Sequence, residues 1–366
     1  MRILLSFPSE SQGGDGRDYA RVFRRLGHEV REVNVAESFR GLGIPGDVSR
    51  GYPAEITIEE LFGEEGTPGL FFYIEPLGLI PRGLERCPAP TACIVGDPHR
   101  GVRGRRMYAR LFDHVFVYQR NYVHRFGEHP PGAVHWLPNA CDTEVVRDLG
   151  VPRDIDVAQI GRIHGANRMR GPVMAALAEK YKVNEQRFYL MREIPEVYSR
   201  AKIVVNVPVG DDLNIRFFEA ISCGALLLTR REANGQEDLF REGVHYAAYG
   251  SERELFEKVD YYIRHEEERQ EIAAAGRAEA LRRHTLEHRV RAILEKVRAG
   301  PAFGAPARRM GKRGVLRTYA TVYERLGRVE ALLRMAAEHW RSSKLEWGYL
   351  VVKAFKAFLR RILYFR

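Results

Sequence analysis

The sequence predicts an α/β protein made of two doubly wound parallel-sheet halves facing each other across a cleft, with a basic helical appendage at the C-terminus. Three observations carry this expectation. Short apolar runs alternate with helical segments, the pattern of a parallel sheet covered on both faces. The alternation restarts after Val151-Pro152. Positive charge gathers at one end of the chain. With 366 residues, 45% of them hydrophobic, the chain is long enough for two domains of ordinary size.

In the first half, Arg2–Phe7 reads as a strand, followed by a polar turn through Gly13 and Gly14 and a helix over Arg17–Leu26. Strands are expected near Glu29–Val35 and at Leu70–Ile74, Thr91–Val95 and His114–Val117. Phe39–Pro68, rich in Gly, Pro and charge, fits no element clearly. A hinge is expected near 145–153, dividing 1–150 from 151–299. In the second half the pattern gives a strand at Ile155–Ile160, a helix at Pro172–Tyr181 and a β-branched strand at Lys202–Val207. Residues 215–223 are helical, Ala225–Thr229 is a buried strand, and Glu252–Arg264 and Glu266–Arg283 are long helices. Gly300–Ala307 reads as a linker to the tail, 300–366.

The formal charge is +10, but residues 301–366 hold 15 of the 58 basic residues and only 4 of the 48 acidic ones. That leaves 43 basic against 44 acidic residues in 1–300, so the body is neutral and the tail cationic. Four widely spaced cysteines, Cys87, Cys93, Cys141 and Cys223, suit a reducing compartment and offer no metal-ligand pair. The opening MRILLSF reads as a strand rather than a secretory signal, and no apolar run is long enough to span a bilayer. A cytoplasmic location is the expectation.

The stretch GDDLNIRFFEAISCGALLLT, residues 210–229, leads from a strand through a polar loop into a helix that stops at Cys223-Gly224. Such an entry offers unpaired backbone N–H groups and the positive end of a helix dipole, which suits a pyrophosphate. Arg216 adds a cation in the first turn, and Glu219, one turn on, suits ribose hydroxyls. A plain strand-loop-helix crossover with a surface Glu accounts for the same pattern. Gly161-Arg162, Arg168 and Arg170-Gly171 place further arginines near a loop, where they grip phosphate oxygens or merely meet solvent. The strand TACIV ends in Gly96-Asp97-Pro98-His99, at the sheet end that faces a cleft in this architecture. Asp97 or His99 there suits proton transfer, although an Asp-Pro turn with an exposed His is an equal reading. Gly13 and Gly14 permit close backbone approach to phosphate or acceptor, or form a simple turn.

Residues Asn214, Arg216, Phe218, Glu219, Ala220, Cys223 and Gly224 resemble the donor-binding motif of GT-B-fold glycosyltransferases of family 4 type, and more narrowly of the CgeB-like (spore-maturation-type) enzymes. The resemblance covers most of 155–297; the glycine pair and Leu26-Gly27-His28-Glu29-Val30 match the family's opening more loosely. It implies a metal-independent, retaining transferase that needs no cofactor beyond its nucleotide-diphosphate sugar donor. Arg162, Arg168, Arg170, Asn214, Arg216 and Glu219 would bind that donor. The family's first motif glutamate, against the donor sugar, falls at Asp211, a shorter carboxylate that Asp212 could replace.

From Trp347 to Phe365, Trp347, Val351, Phe355, Phe358, Leu359, Ile362 and Phe365 share one helical face, opposite Lys353, Lys356, Arg360 and Arg361. Such a helix lies on an anionic membrane, or packs on the protein or on a second copy. A weaker stripe runs over Val315–His339. The acceptor classes that follow are a glycan, a lipid-linked glycan or a protein hydroxyl. Two other functions stand beside transfer: a catalytically silent nucleotide-sugar-binding module of a surface or coat assembly, and a transferase acting on nucleic acid through its basic tail. The tail's aromatic residues argue against the last.

Overall fold

In a computed structural model, residues 1–7, 15–33, 56–75, 80–161, 169–300, 304–325 and 327–364 are described. The N-terminal half contains β1 (Arg2–Ser6), α1 (Asp15–Arg25), β2 (Glu29–Val33), α2 (Ile58–Phe62), β3 (Leu70–Ile74), β4 (Thr91–Val95), α3 (Val102–Ala109), β5 (His114–Val117) and β6 (Val134–Trp136). All its strand pairs are parallel, in the order β2-β1-β3-β4-β5-β6. β3, β4 and β5 are buried on both faces, which is why LFFYI, TACIV and HVFV are continuous apolar runs rather than alternating ones. β2, at the sheet edge, carries the alternating EVREV.

The second half holds β7 (Ile155–Ala158), α4 (Arg170–Ala178), α5 (Ile194–Arg200), β8 (Ala201–Asn206), α6 (Ile215–Ser222), β9 (Leu226–Arg230), α7 (Gln236–Leu239), β10 (Ala247–Tyr249), α8 (Glu252–Arg264) and α9 (Glu266–Arg283). Its sheet runs β10-β9-β8-β7, again parallel. The α/β architecture of two doubly wound halves read from the sequence is the observed one.

After α9 the chain returns to the N-terminal half. The helix α10 (Leu286–Ala299) inserts Leu286, Val290, Ile293 and Val297 among Ile3, Phe23 and Phe72. Its Arg289 donates to the Pro138 carbonyl at 2.8 Å, fastening the crossing point. The tail forms α11 (Ala305–Arg325), α12 (Val329–His339) and α13 (Lys344–Tyr364). Tyr319, Tyr323, Leu332, Met335, Leu350, Ala354 and Ala357 share one core with Phe71, Tyr73 and Phe112, so the tail is a helical layer on the first sheet. Tyr319 and Tyr323 donate to the carbonyls of Pro81 and Ile80 at 3.0 and 2.9 Å, and Arg82 pairs with Glu338 through two bonds of 2.8 and 2.6 Å. Two charge-assisted bonds from one guanidinium fix orientation as well as proximity.

α13 packs through its small-residue face, Leu350, Ala354 and Ala357, where short side chains allow close approach of neighbouring helices. Lys353 and Arg360, on the face expected to be solvated, instead hold the buried Glu324 carboxylate at 2.6 and 3.2 Å. The aromatic face expected to seek cover is exposed: Phe355 at 60%, Phe358 at 48% and Ile362 at 44%. Phe365 lies outside the described residues.

Candidate functional site

The site is assembled where the carboxyl ends of the two sheets meet. On the second half, β7 ends at Ala158 and leads into Gln159-Ile160-Gly161, and β8 runs through Asn206 towards the loop 210–214 and the start of α6. Gly161 has φ +149°, a backbone conformation that L side chains rarely adopt. A Cβ there would lie 2.7 Å from Arg170 Nη1, 2.9 Å from Arg216 Nε and 3.1 Å from Gln159 Nε2, so two guanidinium groups close around bare backbone. Both are held by carbonyls: Arg216 Nε donates to Ile160 at 2.6 Å and Arg170 Nε to Val207 at 2.9 Å. Burial, and then the nearby Arg216 charge, push the Arg170 guanidinium down to about 10. Two cations held together in a half-dry cleft favour an anion of matching charge. Gly161→Ala is therefore expected to weaken binding of a nucleoside diphosphate about tenfold and to cost roughly 1–3 kcal/mol in stability. Calorimetric titration and denaturant unfolding of the variant check both effects.

Asn214 stands at the N-cap position of α6 in an extended conformation, without a side-chain bond to the helix amides, and its Nδ2 donates to Asn206 Oδ1 at 3.2 Å. Asn206 in turn donates to Thr229 Oγ1 at 3.1 Å, and the Tyr249 hydroxyl donates to the Asn206 carbonyl at 3.0 Å. This chain of bonds fixes the entry to α6. One turn on, Glu219 is 1% exposed, and burial, opposed by Arg216 and reinforced by Asp18 of α1, pushes its carboxyl up to about 7. Several buried polar atoms around this entry have no hydrogen-bond partner among the described residues: Glu219 Oε1, Asn214 Oδ1, the Tyr198 hydroxyl, and both ends of the Gln159 amide. Orphan groups of this kind are scarce in folded proteins, and a polar ligand at this entry would satisfy them. Gln159 and Tyr198 were not singled out from the sequence. Gln159 carried one usable signal, its place at the end of β7 just before Gly161.

Glu219 and Asp18 also set a pH dependence. Burial pushes Asp18 up to about 6, with Arg21 opposing and Asp142 adding to the rise. Both groups hold a proton more tightly in the folded chain than in the unfolded one. Their contribution to stability is complete below their ordinary carboxylate values and is lost as pH rises towards 6 and 7. Glu219→Gln removes one of the two titrations. Relative to the parent, the ligand-free variant should gain on the order of 3 kcal/mol in stability between about pH 4 and pH 8. Denaturant unfolding at the two pH values measures this, and a constant difference between variant and parent would contradict it.

Across the cleft, β3 and β4 supply the second wall. Glu75, at φ +46°, accepts from the Gly96 amide at 2.5 Å and from Arg105 Nε at 2.7 Å, holding the loop that follows β4. That loop brings Asp97 and His99 to Asp212 of the second half, with one ligand-type atom of each lying within 4.8 Å of the others. Asp212 also accepts from Gln119 Nε2, and its charge acts on Arg170. Asp211 turns away to the rim, where Asn121 Nδ2 donates to it at 3.4 Å. Of the two adjacent aspartates, Asp212 is the one that meets Asp97 and His99.

Gln119, just past β5, also clasps the two halves together. Its Oε1 accepts from the Leu213 amide at 3.0 Å and from Asn234 Nδ2 at 2.5 Å. Arg120 pairs with Asp238 at 2.6 Å, and Gly235, at φ +90°, gives way to the ring of Trp136. The structure thus brings together Arg170, Asn214, Arg216 and Glu219 on one wall and Asp97 and His99 on the other. Gly13, Gly14, Arg162 and Arg168 lie outside the described residues.

Residues 156–295 match a family described as glycosyl transferase-like, which covers the second half and most of α10. No curated protein matches. Among solved structures, HepE of Anabaena, in complex with UDP and glucose, superposes with a TM-score of 0.60 at 16% identity, covering 82% of this chain and 100% of its own. Sucrose-phosphate synthase from Thermosynechococcus elongatus gives 0.59 at 11% identity, with 82% and 98% covered. A glycosyltransferase from Rickettsia africae gives 0.58 at 10% identity, with 81% and 98% covered. At such identities the likeness is one of fold, the two-domain GT-B arrangement. No helix among the described residues is long and apolar enough to cross a membrane.

Proposed function

We propose that the chain is a glycosyltransferase that moves a sugar from a nucleoside-diphosphate sugar to a hydroxyl of a glycan, lipid-linked glycan or protein. The observation that carries the proposal is the buried, unpartnered Glu219 oxygen beside the Arg170–Arg216 pair at the entry to α6. A carboxylate suited to ribose hydroxyls, two cations suited to a diphosphate and a helix N-terminus converge there. HepE, solved with UDP and glucose, makes uridine diphosphate sugars the first donors to test.

In the proposed reaction, a bond forms between the acceptor oxygen and the anomeric carbon while the bond from that carbon to the β-phosphate oxygen breaks. The nucleoside diphosphate leaves with the electron pair, and Arg170, Arg216 and the α6 amides stabilise the charge it gains. Arg162 and Arg168 join them in this reading. The acceptor proton passes to His99 or Asp97, with Asp212 completing the trio. Retention of anomeric configuration and independence from metal follow the family resemblance and belong to the proposal. So does a cytoplasmic setting, which the buried thiols of Cys87, Cys93, Cys141 and Cys223 suit.

A thermal-shift screen of nucleotides and nucleotide sugars in EDTA, followed by a donor-hydrolysis assay, tests the reading. A ligand bound by the native state raises the midpoint by mass action. Stabilisation by a nucleoside diphosphate together with turnover supports a transferase. Binding without turnover would favour a silent nucleotide-sugar-binding module, and no stabilisation by any nucleotide would end the proposal.

A further inference from the structure

We infer that the exposed face of α13 docks on an anionic lipid surface, independently of what the cleft binds. Along α13, Leu345, Val352, Phe355, Leu359 and Ile362 recur at helical spacing and are exposed at 67%, 53%, 60%, 41% and 44%. Phe358 widens the stripe, and Trp340, 56% exposed, stands just before the helix with its ring against Trp347 at 4.8 Å. The helix has already buried its other side, Leu350, Ala354 and Ala357, against the fold. What remains outside is a continuous apolar face of a size that folded proteins seldom leave in water without use.

Charge selects the occupant. The exposed ionic residues of α13 include Lys344 and Lys356, both cationic, and Arg360, whose guanidinium also pairs with Glu324 at 3.2 Å. Its one acid, Glu346, is buried and pairs with Arg313 at 2.6 Å. Glu324 and Glu338 of the neighbouring helices are taken up by Lys353, Arg360 and Arg82. A second copy meeting this face about a two-fold axis would set these cations against their own kind. An anionic membrane surface satisfies both features, since aromatic and aliphatic side chains enter the interface while lysines and arginines meet headgroups. The helix would lie in the plane of the surface.

Co-sedimentation of the full chain with vesicles of phosphatidylcholine alone, and of phosphatidylcholine with about one-third phosphatidylglycerol, tests this. The chain should bind the anionic vesicles at least about tenfold more tightly than the neutral ones. Phe355→Ser, Phe358→Ser and Ile362→Ser combined should weaken that binding about tenfold or more, and Lys356→Glu should weaken it several-fold. These side chains are exposed, so thermal unfolding midpoints should stay near the parent's; if the triple variant unfolds, Lys356→Glu alone decides. No binding to anionic vesicles, equal binding to neutral ones, or indifference to Lys356→Glu would overturn the inference. A dimer in sedimentation equilibrium that the triple variant dissolves would instead assign the face to a second copy.

Discussion

Asp212→Asn is expected to lower turnover about 10²- to 10⁴-fold, the range for losing support to the groups that take the acceptor proton, while donor affinity changes less than about threefold. His99→Ala should behave alike, because the two side chains meet across the cleft with Asp97. Asp211→Asn should leave turnover within about threefold, since its carboxylate is turned to Asn121 at the rim. Steady-state kinetics beside calorimetric titration separates the two effects. If Asp211→Asn proves the crippling change and Asp212→Asn the silent one, the assignment of the trio is wrong.

Glu219→Gln should weaken nucleoside diphosphate binding by roughly tenfold to a hundredfold, the loss expected when hydrogen bonds to a buried charge give way to neutral ones. The amide is nearly the same size as the carboxyl, so the fold should survive, and at neutral pH the ligand-free variant should be the more stable one. Stability and affinity moving in opposite directions is the signature of a group placed for a ligand at a cost to the fold. A merely structural Glu219 would lose both together. Titration with uridine and guanosine diphosphates at neutral pH reads the affinity directly.

Much of the architecture was legible because its strands are buried on both faces. LFFYI and TACIV can form a covered parallel strand, but their continuous apolarity does not suit an amphipathic helix or a solvated loop. The layout of the 210–229 segment was legible for a different reason: loop, helix and following strand are contiguous, so Arg216 and Glu219 fall within one turn of helix. Groups that meet only in three dimensions left no such trace. Gln119 clasps Asp212 and Leu213, which lie 93 and 94 positions away, and Glu75 pins the Asp97 loop from the end of another strand. Neither carries a local pattern that would single it out. That Asp212 meets Asp97 and His99 while Asp211 meets Asn121 was equally hidden, because adjacent loop residues point different ways according to backbone torsions that composition does not reveal.

The tail teaches a related lesson. Helical periodicity in 347–365 was plain, and so was the separation of aromatic from basic positions. Which stripe the protein covers depends on its neighbours. Here Ala354 and Ala357 let α13 approach closely, and the buried Glu324 draws Lys353 and Arg360 inward. Hydrophobicity alone would have turned the helix the other way.

The most direct test of the central claim is a crystal structure of the chain with bound uridine diphosphate. The ribose hydroxyls should lie within hydrogen-bond distance of Glu219, with the diphosphate at the start of α6 between Arg170, Arg216 and the backbone of Gly161. A nucleotide bound elsewhere on the chain, or a diphosphate at α6 with Glu219 left untouched, would contradict it.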